Sequence, residues 1–156
     1  MNRVAVRSFN HAAILSLLMF LVGCAPLIGP HSPEAYKKAT SLKSETLALM
    51  DKATEPYSTH ADSVEGPKGH TASLNSAYEY VAGLDSNAIS AKQWKILISE
   101  DGDLYGKFIK RWKEKSTLSE TFITEFKGPV SDAFDEIICL EANEKESTEC
   151  GKSKGE

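Results

Sequence analysis

The strongest fold signal in this chain is residues 117–142, TLSETFITEFKGPVSDAFDEIICLEA. Its apolar residues recur three and four positions apart, the spacing of one face of an α-helix: Phe122, Ile123, Phe126, Val130, Ala133, Phe134, Ile137 and Ile138. The phase survives across Gly128 and Pro129, so we expect a bent pair or one kinked helix. Thr117-Leu118-Ser119-Glu120 has the form of a capping box that opens it.

The same spacing appears upstream, beginning at residue 32. Ser32 is suited to cap a first helix and Pro33 to occupy its first position, while Pro56 should end or kink that helix near Thr54. Residues 57–64 are compatible with a continuation beyond the kink. A Gly/Pro loop at 66–69 then precedes a second helix over residues 71–82.

Two further helices are expected before residue 117. Ser90-Ala91-Lys92-Gln93 has the form of a capping box, with Ile89 and Trp94 at the hydrophobic staple positions. Asp103 is placed to cap a helix that runs to Trp112. No stretch alternates with a period of two, so strands are not expected. The sequence therefore predicts an all-α domain, residues 33–142, folded as a compact bundle of four to six helices. The residues expected in its core are Trp94, Phe108, Phe126, Phe134 and Ile137.

Residues 1–23 have the features of a signal peptide. Arg3 and Arg7 make a positive start, and residues 12–22 are apolar except for Ser16. This apolar run is shorter than the ~20 residues that a membrane-spanning helix needs. We therefore expect export, with the positive end on the cytoplasmic side.

The end of this leader, Leu21-Val22-Gly23-Cys24, resembles the lipobox of bacterial lipoprotein precursors. The resemblance implies cleavage before Cys24, a lipid on the Cys24 thiol and acylation of the new amino terminus. Residues 24–32 would then be a lipidated tether, and Ala25 favours the outer membrane because an Asp there commonly retains lipoproteins in the inner one. The alternatives are an ordinary secretory signal or a chance cysteine at the end of a buried helix.

The charge of the mature chain excludes one class of function. The whole chain has 18 basic and 22 acidic residues, and removal of Arg3 and Arg7 with the leader leaves a formal net charge of −6. General binding of nucleic acid needs a positive field, so we expect no nucleic-acid partner.

Two cysteines remain besides Cys24. In an oxidising compartment Cys139 and Cys150 are expected to form a disulfide that pins a polar C-terminal tail, residues 143–156, to the last helix. The alternative is two free thiols, with Cys139 buried and Cys150 in the tail.

The sequence contains few residues in patterns typical of catalytic or metal-binding sites. Asp101, Asp103 and Gly106 match three places of a calcium loop, but Trp112 stands where its bidentate Glu should be, so an interhelical turn is favoured. His60 and His70 flank a loop and are interpreted as surface histidines. We expect no catalytic residue, no metal site and no cofactor.

Two groups of side chains are candidates for binding. One is a basic cluster that could meet anionic lipid or an acidic partner, although the exposed face of an amphipathic helix with Trp112 in the core is favoured: Lys107, Lys110, Arg111, Lys113 and Lys115. The other is a set of tyrosines that could line a partly apolar, partly solvent-exposed groove, or equally lie at the edge of the core: Tyr36, Tyr57, Tyr78 and Tyr80.

These features favour a lipid-anchored, periplasm-facing envelope protein without enzymatic activity. It would reach the membrane through the lipid on Cys24 and bind another envelope protein or help to maintain the envelope. The alternative function is a small-ligand binder with a pocket between the tyrosine-bearing helices and the pair Trp94 and Trp112. An enzyme is the third hypothesis.

Overall fold

The computed structural model describes residues 32–84, 87–142 and 150. This part of the chain contains six α-helices, a short 3-10 turn at Lys52–Thr54 and no strand, which confirms the predicted all-α bundle. The predicted signal peptide, Cys24 and most of the tether lie outside the described residues. The helices are α1 Pro33–Asp51, α2 Tyr57–Glu65, α3 His70–Ala82, α4 Ala88–Ile98, α5 Tyr105–Lys115 and α6 Glu120–Ala142.

Helices α1 and α6 form an antiparallel pair at the centre of the bundle. Lys43, near the middle of α1, pairs with Asp135 at 2.5 Å, and Asp51, at the C-terminal end of α1, pairs with Lys127 at 2.7 Å. Helix α3 packs against α1, and α4 bridges α3 and α6. This arrangement buries the apolar faces of the two longest helices against each other.

The loop between α5 and α6 is tied to the end of α1 by backbone hydrogen bonds. The Leu118 N–H donates to the Ala53 carbonyl, and the Tyr57 N–H donates to the Ser116 carbonyl, both at 2.7 Å. Ser116 has a φ of 65°, a left-handed conformation that non-glycine residues rarely adopt. The bundle is therefore closed at the C-terminal end of α1.

The core is built around large aromatic side chains. Trp94, Phe108, Phe134 and Ile137 are fully buried, as predicted. Phe126 is only half-buried, so this part of the prediction is wrong. Its ring packs against Phe122 and Phe108, with centroid distances of 5.0 and 5.8 Å, at the edge of the core rather than inside it.

Ser32 caps α1 as predicted, because its Oγ accepts a hydrogen bond from the Ala35 N–H at 3.2 Å. The predicted capping box at Ser90 is wrong. Helix α4 already begins at Ala88, and the buried Ser90 hydroxyl donates to the Glu141 carboxylate of α6. Gln93 reaches away from its own helix as well, donating to Glu136 at 2.8 Å. Both side chains therefore form hydrogen bonds with α6 and do not cap α4.

Two other predicted caps are also corrected. Asp103 makes no capping bond to α5 and instead pairs with Lys107 at 2.5 Å. Ser119, not Thr117, caps α6, because the Phe122 N–H donates to its Oγ at 3.3 Å. Serine, threonine and aspartate at neighbouring positions are all competent caps, so the local pattern does not choose among them.

Helix α6 is a single element that runs through Gly128 and Pro129, so the predicted continuity of phase is confirmed. Pro129 is exposed and lacks the N–H that would donate to the carbonyl four residues earlier. Among the described helices, none combines the length and apolar character needed to cross a membrane.

Candidate binding groove

An open groove runs between α1 and α3, with the loop before α3 at one end. Its volume is about 490 Å³. The two helices are antiparallel here, since Lys38 lies beside Tyr80 and Thr46 lies beside His70. The lining residues are Lys38, Ser41, Leu42 and Glu45 of α1, Pro67 and Lys68 of the loop, and Ala72, Ser73 and Ser76 of α3.

The shape of the groove follows from residue size along α3. Ala72, Ser73 and Ser76 are small, so their side chains leave space beside α1. The buried Leu42 gives the groove an apolar floor, while Ser41 and Glu45 stand one helical turn apart at its rim. The groove is polar at the rim and apolar only at its base.

The charges in the groove are unevenly engaged. Glu45 accepts a hydrogen bond from the Ser41 hydroxyl at 2.6 Å and lies 3.8 Å from Nδ1 of His70. Lys38 makes an ion pair with Glu34 at 3.4 Å on the exposed surface of α1. Lys68 forms no ion pair with any residue that the structure describes. Glu45 keeps its negative charge, since a hydroxyl group does not neutralise a carboxylate, and Lys68 is the cation of the lining that has no ion-pair partner among the described residues.

His70 lies behind the groove and is 9% exposed, so its interpretation as a surface histidine is wrong. Its Nε2 is 2.7 Å from the hydroxyl of the fully buried Thr46, and its ring meets Tyr105 edge-on at 5.8 Å. Burial lowers the pKa of His70, and the nearby Glu45 carboxylate opposes that shift. His70 is therefore neutral at pH 7.

The structure does not bring the four predicted tyrosines together on one surface. Tyr36 and Tyr80 are exposed, at 38% and 37%, and Tyr78 is half-buried. Tyr57 is buried against Trp112, with a ring centroid distance of 5.4 Å, and its hydroxyl donates to Glu65. Tyr57 is therefore not part of a binding surface and belongs to the core, the alternative that the sequence left open. Tyr80 borders the groove through its contact with Lys38.

The basic cluster of α5 has the predicted arrangement of an amphipathic helix. Trp112 is fully buried, and the charged side chains face outward. Lys113 pairs with Glu65 at 2.7 Å, and the Arg111 guanidinium lies 5.0 Å from the centre of the Phe122 ring. These contacts neutralise or cover part of the cluster.

Cys139 and Cys150 form the predicted disulfide. Their Cα atoms are 5.6 Å apart, within the range of an ordinary bridge, and Cys150 is buried. Residues 143–149 and 151–156 of the polar tail lie outside the described residues, so the bridge defines where the tail returns to the bundle.

The segment around Asp101 is a turn that leads into α5. Gly106, which matched the calcium-loop pattern, is buried, and a Cβ there would clash with the Ile98 carbonyl oxygen. Close packing of α5 against the end of α4 therefore explains this glycine. In the part of the chain that is described, no three His, Cys, Asp or Glu side chains are grouped so as to hold a metal ion.

The tyrosines indicated a possible groove beside the helices that carry them, but nothing in the sequence identified the residues that line it. Its most informative residues, Glu45, Lys68 and Ser76, have ordinary surface composition, and no motif links them. The local signal is the set of small residues Ala72, Ser73 and Ser76 on α3, which precede the exposed Tyr80.

Comparison with known proteins gave no relative. No model of a protein family, no curated protein and no solved structure matches this chain.

Proposed function

We propose that this chain is a lipoprotein of the bacterial cell envelope, anchored through Cys24 and facing the periplasm, whose helical domain binds another envelope protein without catalysing a reaction. The outer membrane is the favoured location because Ala25 follows the lipidated cysteine. The anchor rests on the sequence Leu21-Val22-Gly23-Cys24 behind a charged start and an apolar run.

The observation that supports partner binding is the form of the α1/α3 groove. Small-molecule sites are usually concave pockets with mostly apolar walls that bury most of the ligand. This groove is open along its length, its rim is polar, and its lining comes from two helices and a loop. Such a surface suits a segment of another macromolecule better than an enclosed metabolite.

The alternative function, a small-ligand pocket beside Trp94 and Trp112, has less support. Trp94 is fully buried and packs edge-on against Phe134 at 5.8 Å. Trp112 is fully buried against Tyr57, and its indole N–H donates to the Glu55 carbonyl at 3.0 Å. Neither tryptophan lines the groove.

Metabolic labelling with palmitate tests the anchor. Cys24→Ser should abolish incorporation of the label and release the protein from the membrane fraction, since the thiol is the acceptor. Cys150→Ser is the matched control and should remain labelled. Equal labelling of Cys24→Ser and the native chain would disprove the lipoprotein assignment.

Site-specific photocrosslinking in intact cells tests partner binding. A photoreactive residue at Ser73 or Ser76 should capture the same discrete protein, and one at the exposed Glu114 of α5 should not capture it. If the groove positions yield no adduct, and purified protein is instead stabilised by a metabolite in a thermal-shift screen, the small-ligand function replaces this proposal.

A further inference from the structure

We infer that the α1/α3 groove takes an extended peptide segment that carries acidic side chains. This inference rests on the proposed partner-binding function and adds the chemistry of the partner. It depends on three properties of the groove: the distribution of its charges, its length and its hydroxyl groups.

The charges select an acidic ligand. Lys68 has no ion-pair partner among the described residues, and the pair between Lys38 and Glu34 is an exposed one of the kind that stabilises a protein little. The lining also contains one carboxylate, Glu45, which accepts a hydrogen bond from Ser41 and lies 3.8 Å from the neutral His70. The lining therefore has two cations against one carboxylate and favours an acidic ligand, although the mature chain as a whole is acidic.

The positions of the two lysines call for a ligand of some length. Lys38 lies beside Tyr80, whereas Lys68 precedes His70, which contacts Thr46. The lysines thus lie toward opposite ends of the groove. The α1 segment from Lys38 to Glu45 rises about 10 Å, and an extended peptide covers that length with about three residues.

The hydroxyl groups suit the backbone of such a peptide. Ser73 and Ser76 lie on the α3 wall, and Ser41 lies on the α1 wall. A serine hydroxyl can donate to a peptide carbonyl or accept from a peptide N–H. In an extended chain, side chains two residues apart point the same way, so alternate acidic residues would face the lysines from one side.

Fluorescence anisotropy with a defined probe tests the inference. The probe is an end-capped, dye-labelled peptide of alternating glutamate and serine, added to the detergent-solubilised full-length mature protein at low salt. Binding should saturate. Lys68→Glu and Lys38→Glu should each weaken it by about tenfold. Lys110 is an exposed lysine outside the groove, and Lys110→Glu should change the affinity less than twofold.

Charge exchange gives the stricter test. Lys68→Glu should gain affinity for the matching lysine–serine peptide, which the native protein should not bind. Equal loss of binding in Lys110→Glu and Lys68→Glu would overturn the inference, since it would mean general attraction between charges. Binding to vesicles with anionic lipid that depends on Lys68, without binding of the peptide, would overturn it in favour of a headgroup site.

This outcome is separable from that of the proposed function. If the acidic peptide does not bind but photocrosslinks at Ser73 and Ser76 still capture one protein, the inference about acidic segments is wrong and partner binding stands. If neither result is obtained, both are wrong.

Discussion

His70 shows how the fold determines the burial and the protonation of a single residue. Gly69 and Pro67 beside it indicate a surface turn, yet α1 covers its ring and Thr46 meets Nε2 at 2.7 Å. A charged imidazole would have to be desolvated at this place. The fold therefore favours the neutral form, and Glu45 at 3.8 Å only partly offsets the cost of charging it.

This burial predicts a pH dependence of stability. The pKa of His70 is about 6.5 in the unfolded chain and lower in the folded chain. At pH values between these two, His70 is protonated in the unfolded chain and neutral in the folded one. The free energy of unfolding should therefore fall as the pH decreases below about 6.5, by about 1.4 kcal/mol for each unit of pKa depression. Urea unfolding between pH 5 and 8 measures this slope.

Two variants control that experiment. His70→Gln should remove the contribution of this residue to the slope. Glu45→Gln removes the opposing carboxylate, so an NMR titration should place the pKa of His70 lower than in the native protein. A pKa of His70 above 6.5 in the native protein would contradict the assignment.

Ser90 is a second residue whose role is set by a distant partner. Its hydroxyl donates to Glu141, which is 2% exposed and also lies 3.4 Å from the Asn87 side-chain nitrogen. Ser90→Ala should cost about 1–3 kcal/mol, because it removes a hydrogen-bond donor from a buried oxygen of Glu141. Ser99→Ala at the end of the same helix should cost clearly less, and equal costs in urea unfolding would argue against the Ser90–Glu141 contact.

At the scale of elements, the N-terminus of α6 offers a direct test of capping. Ser119→Ala removes the acceptor of the Phe122 N–H and should destabilise the protein by about 1 kcal/mol. Thr117→Ala should be close to neutral because Thr117 lies outside the helix. Thermal unfolding of the two variants distinguishes the alternatives. A larger loss of stability for Thr117→Ala than for Ser119→Ala would support the predicted capping box at Thr117 instead.

At the scale of the whole molecule, side-chain burial decreases from the fully buried Trp94–Phe134 contact to the half-buried Phe126 at the edge of the core. Phe134→Ala should cost about 3–5 kcal/mol because it leaves a cavity in a fully buried site. Phe126→Ala should cost clearly less, since part of its ring is already in contact with solvent. Similar unfolding midpoints for the two variants would contradict the burial described above.

The disulfide connects the last helix to the end of the chain. Its two cysteines are 11 positions apart in sequence, and for a loop of that size chain entropy predicts a stabilisation of about 2–3 kcal/mol. Reduction, or the double change of Cys139 and Cys150 to Ala, should lower the unfolding midpoint without loss of the helical circular dichroism signal. Free, alkylatable thiols in protein isolated from cells without a reductant would contradict the bridge.

Several features of the fold could be predicted from local sequence. The apolar spacing of residues 117–142 predicts one continuous helical phase across Pro129, because a 3.6-residue period aligns the core face whatever packs against it. It left open whether a bent pair or one kinked helix forms. Ser32 with Pro33 fixes the start of α1. Cys139 and Cys150 could be paired because they are the two cysteines left once Cys24 is assigned to lipid.

Only the tertiary structure decided the roles that depend on a partner far away in the chain. Ser90 meets Glu141 across 51 positions, and His70 meets Thr46 across 24. The groove likewise exists only because α1 and α3 lie antiparallel with small residues between them. Periodicity reports which side of a helix is buried, but not which neighbour buries it. Hydrogen bonds, pKa shifts and grooves depend on that neighbour, which is why this sequence determined its helices and left the candidate site to their packing.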